Sequence, residues 1–235
     1  MAESGRSPQA LVFDFDGLIM DTETATYEAW REIYAGHGHP LALETWAQCI
    51  GSDFSTAYDP MVELERLLGR TLDWAPIHQM RRERVMKILT KNDALPGVRN
   101  RLDEARTLGL SCAVASSSPR WWVEHWLGHL DLLGAFQNIT CLEDTGKVKP
   151  HPSLFQHAAS KVGAAPDRVV VLEDSLNGLR AAKTAEMRCI IVPCSVTEHL
   201  EFDGAWKKFR SMEEFTIEEL RSSDLVSYVA NANQL

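Results

Sequence analysis

The chain has 235 residues, 45% hydrophobic and 24% charged, with 24 basic side chains against 33 acidic ones and a formal net charge of −9. That is the composition of an ordinary globular chain, and its acidic balance argues against a nucleic-acid or anionic-membrane surface. It leaves room for an anionic substrate held by local positive charge, and it makes magnesium a natural partner.

No run of about 18 apolar residues occurs anywhere, and the opening MAESGRSPQ contains no apolar signal segment. The cysteines Cys49, Cys112, Cys141, Cys189 and Cys194 form no CxxC pair. The expectation is a cytoplasmic, reducing setting in which these thiols act as small hydrophobes.

The first strand signal, ALVF (10–13), runs directly into Asp14 and Asp16. Two carboxylates at the end of a buried strand repel each other and lose hydration unless something positive joins them. From Thr22 to about Lys91 no strand run appears. ETATYEAWREIYAGHG, LETWAQCIG, DPMVELERLLG and PIHQMRRERVMKILTK each read as helix. The pattern predicts an all-helical cap over 21–92, inserted into an α/β core made of 1–20 and 93–235. Beyond the insert, helix-like VRNRLDEARTLG (98–109) precedes the strand run LSCAVA (110–115). RWWVEHWLGHL (120–130) then reads as helix, NITCL (138–142) as strand and PSLFQHAASKVG (152–163) as helix. RVVVL (168–172) and CIIVP (189–193) complete the strand runs, and the tail after Phe209 reads as a closing helix and a frayed end. Strands apolar throughout and separated by helices imply a Rossmann-like parallel sheet with helices on both faces.

Ligands of such sheets sit beyond the carboxyl ends of the strands, and the residues falling there are chemically selective. They are Asp14 and Asp16 after the first strand, and Ser116, Ser117 and Ser118 after SCAVA. Lys147 and Lys149 follow NITCL across a loop, and Glu173, Asp174 and Ser175 follow RVVVL. Each has a plainer reading alone: a turn dipeptide, a serine loop, a solvated lysine, a helix cap. Together they form a phosphoryl-transfer set. Crowded carboxylates suit a hard divalent cation, Ser116 with the following N–H groups at a helix start suits phosphate oxygens, and Lys149 adds a point charge. One aspartate can attack phosphorus while the second protonates the leaving oxygen.

DFDGLIMDTE (14–23), VASSS (114–118), KVKPHP (147–152) and VLEDSLNG (171–178) resemble the four signature motifs of the haloacid dehalogenase superfamily. The resemblance spans nearly the whole chain and is nearest to the subgroup of β-phosphoglucomutase and small sugar-phosphate or phosphoglycolate phosphatases. It implies Asp14 as nucleophile and Mg²⁺ ligand, and Asp16 as general acid/base with a further ligand from its carbonyl. Ser116, Ser117 and Lys149 would bind phosphate, and Asp174 with Glu173 would complete the metal site. Val148 stands where a glycine commonly precedes the lysine, and Lys149 is chosen over Lys147 because it precedes Pro150.

The implied activity is hydrolysis of a small phosphate monoester, with a phosphorylated metabolite as partner and no protein, nucleic acid or membrane implied. Asp16 argues against dehalogenation. The mutase alternative is weakened by Thr26, which stands where the mutase pattern has a histidine, and by IGSDFS (50–55), which lacks a basic residue. A phospho-receiver or a binding module without activity is the remote alternative. A large helical insert and a DxD directly after the first strand fit a receiver poorly. Trp121, Trp122 and Trp126 read as core packing with one ring at the surface, Thr22 as a hinge, and Tyr27, Trp30 and Phe54 as candidate cap residues facing the substrate. Arg81 and Arg84 read as a solvated cap face.

Overall fold

The computed structural model describes residues 7–46, 50 and 58–221. Six parallel strands form one sheet in the order β3-β2-β1-β4-β5-β6. These are β1 (Ala10–Phe13), β2 (Ser111–Ala115), β3 (Asn138–Thr140), β4 (Val169–Glu173), β5 (Arg188–Ile191) and β6 (Lys207–Lys208). Between β1 and β2 come α1 (Thr22–Gly36), α2 (Leu43–Trp46), α3 (Pro60–Leu68), α4 (Trp74–Leu89) and α5 (Val98–Thr107). The remaining helices are α6 (Arg120–His129), α7 (Leu142–Thr145), α8 (Ser153–Lys161) and α9 (Leu176–Thr184). No helix among the described residues is long and apolar enough to cross a membrane.

The strands are apolar at successive positions because alternate side chains enter opposite layers. Leu11 and Phe13 of β1, Cys112 and Val114 of β2, and Val170 and Leu172 of β4 pack with Val98 and Leu102 of α5 and with Val123 and Trp126 of α6. Ala10 and Val12, Ala113 and Ala115, and Val169 and Val171 pack instead with Leu154 and Phe155 of α8 and with Leu179 and Ala182 of α9. The result is a helix–sheet–helix sandwich, the expected α/β class.

Helices α1 to α3 supply a third apolar cluster of Trp30, Ile33, Tyr34, Trp46 and Leu64, joined by Cys194 and Val196 from the loop after β5. α1 also packs along α4. Tyr27 and Trp30, expected to face a substrate, instead build this cluster: Trp30 is buried and the Tyr27 hydroxyl donates to Leu41 O at 3.0 Å. Phe54 and most of IGSDFS lie outside the described residues.

Two elements depart from the sequence expectation. β6 is a two-residue edge strand, Lys207–Lys208, with no apolar run to announce it. The NITCL run gives strand for residues 138–140 alone, because Cys141 caps the short α7: its N–H donates to the Asp144 carboxylate at 2.7 Å. The four described cysteines are buried and free, as small hydrophobes are.

Strand β1 lies between β2 and β4, where the order of connection reverses, and open α/β sheets bind ligands beyond the carboxyl ends of the strands at such a switch point. Phe13, fully buried at the end of β1, meets Phe136 edge-to-face at 5.8 Å. Phe13→Ala is expected to lower stability by about 3–5 kcal/mol through lost contacts and a residual cavity. Urea unfolding followed by circular dichroism would measure it, with an unchanged slope and a lower midpoint.

Candidate active site

Register sets the site. Phe13 of β1 pairs with Leu172 of β4, and the Asp14 N–H donates to Leu172 O at 3.0 Å. The next residues on the two strands, Asp14 and Glu173, therefore emerge side by side. Lys149, from the loop between α7 and α8, reaches between them and is only 2% exposed. Its Nζ donates to Asp14 Oδ1, and to Glu173 Oε1 at 2.7 Å. The loop is fastened by the Lys149 backbone N–H, which donates to Ser117 Oγ at 3.1 Å.

Glu173 Oε2 accepts the Asp174 N–H (2.9 Å), the Ser175 N–H (2.8 Å) and the Ser175 hydroxyl (2.9 Å). Ser175 in turn caps α9 by accepting the Gly178 N–H. Gly178 leaves room for this carboxylate, since a Cβ there would lie 1.8 Å from Glu173 Oε1. Gly17 makes the matching clearance on the other side: its φ is +80°, and a Cβ would fall 2.3 Å from Asp174 Oδ2.

Oxygens of Asp14, Glu173 and Asp174 lie within 4.8 Å of one another. Asp174 Oδ2 is buried and accepts no hydrogen bond, an arrangement costly to leave uncompensated. A cluster of carboxylate oxygens with an orphaned lone pair is the donor chemistry of a hard cation such as Mg²⁺, so these residues fit the metal that the motifs imply. The Asp16 carboxylate is not in that cluster. Oδ1 accepts from Thr22 Oγ1 (2.8 Å) and Trp122 Nε1 (2.8 Å), and Oδ2 from Ser118 Oγ (2.7 Å) and Ser116 Oγ (3.2 Å).

Burial pushes the Asp14 carboxyl up to about 8, with Glu173 and Asp16 adding to the shift and Lys149 opposing it. Asp174 is raised well above the usual carboxylate range, first by burial and then by Glu173 and Asp14. Glu23, at the first turn of α1, is pushed up to about 8 by desolvation and by Asp16 and Asp14, although part of its surface remains open. Burial alone would lower the Lys149 pKa, but Asp14 and Glu173 beside it reverse the direction and keep it charged.

These groups face a cavity of about 330 Å³. Thr22, Glu23, Thr26, Trp46 and Ile50 line it from the helical insert, and Ser117, Ser118, Trp122, Leu142 and Val148 from the sheet side. Ser116 is fully buried behind this wall. Lys147 points away, its Nζ lying 3.1 Å from His151 Nε2. Arg81 stacks on Trp30 and Arg84 pairs with Glu32, so neither lines the cavity.

Thr22, Glu23 and Trp122 line the cavity without a chemical role read from the sequence. Thr22 reads as a hinge and Trp122 as packing, whereas Ser118 belongs to the serine run already placed at the end of the second strand. Ser118 was within reach of the motif, but nothing in the helical spacing of α6 shows which way an indole N–H points.

A family model for haloacid dehalogenase-like hydrolases matches residues 11–192. YhcW of Bacillus subtilis is 41% identical over 209 residues, spanning 89% of this chain and 94% of its own. Hexitol phosphatase B of Escherichia coli is 31% identical over 217 residues, 90% of this chain and 96% of that one. A crystal structure of CbbY from Rhodobacter sphaeroides, in complex with phosphate, superposes with a TM-score of 0.69 at 29% identity, covering 88% of this chain and 96% of the other. The chain belongs to the haloacid dehalogenase-like hydrolase family.

A carboxyl group whose folded pKa is raised stabilises the fold fully below its unfolded pKa and loses that contribution as pH rises through the folded value. For Asp14 and Glu23 the loss runs from the ordinary carboxylate range up to about 8. In EDTA the melting temperature is therefore expected to fall as pH is raised from about 5 to about 8, and Mg²⁺ is expected to flatten that fall. Scanning calorimetry at several pH values, with and without Mg²⁺, measures both.

Proposed function

We propose that the chain is a Mg²⁺-dependent phosphatase that hydrolyses a small phosphate monoester, with a sugar or polyol as leaving group, through an aspartyl phosphate on Asp14. The observation carrying this reading is the convergence of Asp14, Lys149, Glu173 and Asp174 at one sheet edge, with Asp16 facing the same cavity. The activity named for hexitol phosphatase B supports the class of ester.

In this reading residues 21–92 form a cap over a core of 1–20 and 93–235. Asp14 and Asp174 would hold the cation, with the Asp16 carbonyl as a further ligand and Glu173 as a helper beside them. When bound, the cation would supply positive charge that offsets the charge of the phosphate. An Asp14 oxygen attacks phosphorus as the ester P–O bond breaks, and Asp16 gives its proton to the departing oxygen. Lys149 and the N–H groups around Ser116 and Ser117 bind the transferring group's oxygens. Water then attacks the aspartyl phosphate, Asp16 takes its proton, and inorganic phosphate leaves with the Asp14 carboxylate restored.

Water is favoured over a second sugar phosphate as acceptor. Lys149 is the one lysine or arginine among the described residues lining the cavity, and residues 47–57 contain neither. A mutase needs a second grip on its doubly phosphorylated intermediate. The buried thiols accord with a reducing cytoplasm.

The test is turnover of a panel of hexitol and hexose phosphates with Mg²⁺, with EDTA and in variants. Asp14→Asn is expected to lower kcat at least about 10⁴-fold, and Asp16→Ala by about 10²–10⁴-fold on alkyl esters. Acid quenching should trap label from ³²P-substrate on the wild-type chain and not on Asp14→Asn. Turnover indifferent to EDTA and to Asp14→Asn would refute the reading.

A further inference from the structure

The four donors on Asp16 are not equivalent. Ser116, Ser118 and Thr22 offer hydroxyls, which rotate and can turn to another acceptor. Trp122 offers an indole N–H, which donates only and lies fixed in the plane of its ring. That ring sits edge-to-face against Trp121 (centroids 5.7 Å, planes 80° apart) and against Trp126 (5.7 Å, 78°). Trp126 is fully buried in the layer that covers the sheet, so the stack is anchored in the core. Thr22 begins α1 of the helical insert, whereas Trp122 belongs to α6, beside the strand that carries the serines.

We propose that Trp122 is a positioning residue for Asp16, its rigid N–H anchoring Oδ1 so that Oδ2, held by the rotatable hydroxyls of Ser116 and Ser118, is the oxygen that carries the proton. This rests on the phosphatase reading, in which Asp16 is the acid. As the P–O bond breaks, the proton on Oδ2 passes to the departing alkoxide. When water attacks the aspartyl phosphate, its proton returns to Oδ2. A carboxylate free to pivot about its Cβ–Cγ bond would present that oxygen less often, and misplacement of about 1 Å is enough to slow such a step severely.

Trp122→Phe keeps the aromatic stack and removes the N–H. Its effect should depend on the leaving group, because kcat/KM reports the steps through departure of that group. An alkyl alkoxide needs Asp16's proton, whereas para-nitrophenolate is stable as an anion. The ratio of kcat/KM for glycerol phosphate to that for para-nitrophenyl phosphate is expected to fall about tenfold, the effect of one hydrogen bond to a charged group.

Equal losses on both esters would mean the ring is merely structural, and no loss on either would mean the N–H is idle; each result overturns the proposal. Because the variant can fail to fold, a second measurement uses native Trp122. Its indole proton resonance should move upfield in Asp16→Ala, and a resonance that stays in place overturns the proposal too. If the wild-type chain turned over neither ester, the phosphatase reading itself would fall and the positioning role with it. The indole resonance would still distinguish that outcome from a missing Trp122–Asp16 contact.

Discussion

The buried ammonium of Lys149 is the interaction on which the rest of the site depends. Asp14, Glu173 and Asp174 crowd one end of the sheet, where each is at most 6% exposed. Charges so placed lose hydration and repel one another, and a buried ion pair is tolerable only when its geometry is good and its remaining lone pairs are satisfied. Lys149 bridges two of the three carboxylates directly. Glu173 is satisfied further by two backbone N–H groups and a hydroxyl at the start of α9. What remains uncompensated is Asp174 Oδ2, so the positive charge still lacking falls beside Asp174.

That arrangement follows from the sheet. Parallel pairing of β1 with β4 sets Asp14 beside Glu173, and pairing of β1 with β2 brings the serines alongside. Because the chain crosses from β1 first to β2 and only later to β4, residues more than 150 positions apart meet at the switch point. The strands tolerate being apolar at every position because helices cover both faces. The buried sandwich then supplies the stiffness that a phosphate site of this type requires, since positioning and charge do most of the catalytic work.

Much of this was legible in the sequence, for a definite physical reason. A strand buried on both faces leaves a continuous apolar run, and the polar residue ending it falls at the sheet edge. The convergence of Asp14, Lys149, Glu173 and Asp174 could therefore be assembled without coordinates. β6 left no such mark because it is two lysines at an edge. The helical insert was harder still. Helical periodicity separates an apolar face from a polar one but does not say what the apolar face meets, so Trp30 and Trp46 look alike in sequence. Both belong to the third apolar cluster, but Trp46 also borders the cavity while Trp30 does not. Trp122 escaped for the same reason, because its packing is periodic and its hydrogen bond is not.

Asp14 and Asp16, one residue apart, meet opposite surroundings. Asp14 faces an ammonium and two further carboxylates and is itself almost fully buried. Asp16 faces three hydroxyls and an indole N–H, with no lysine or arginine bonded to its carboxylate among the described residues. Divergent environments are how one fold gives two carboxyl groups separate tasks. Glu23 lines the same cavity from the helical insert and Lys149 from the sheet edge. Around them the cavity wall presents the apolar surfaces of Trp46, Ile50 and Trp122. The two aspartates thus share one cavity, while only Asp14 sits within the carboxylate cluster.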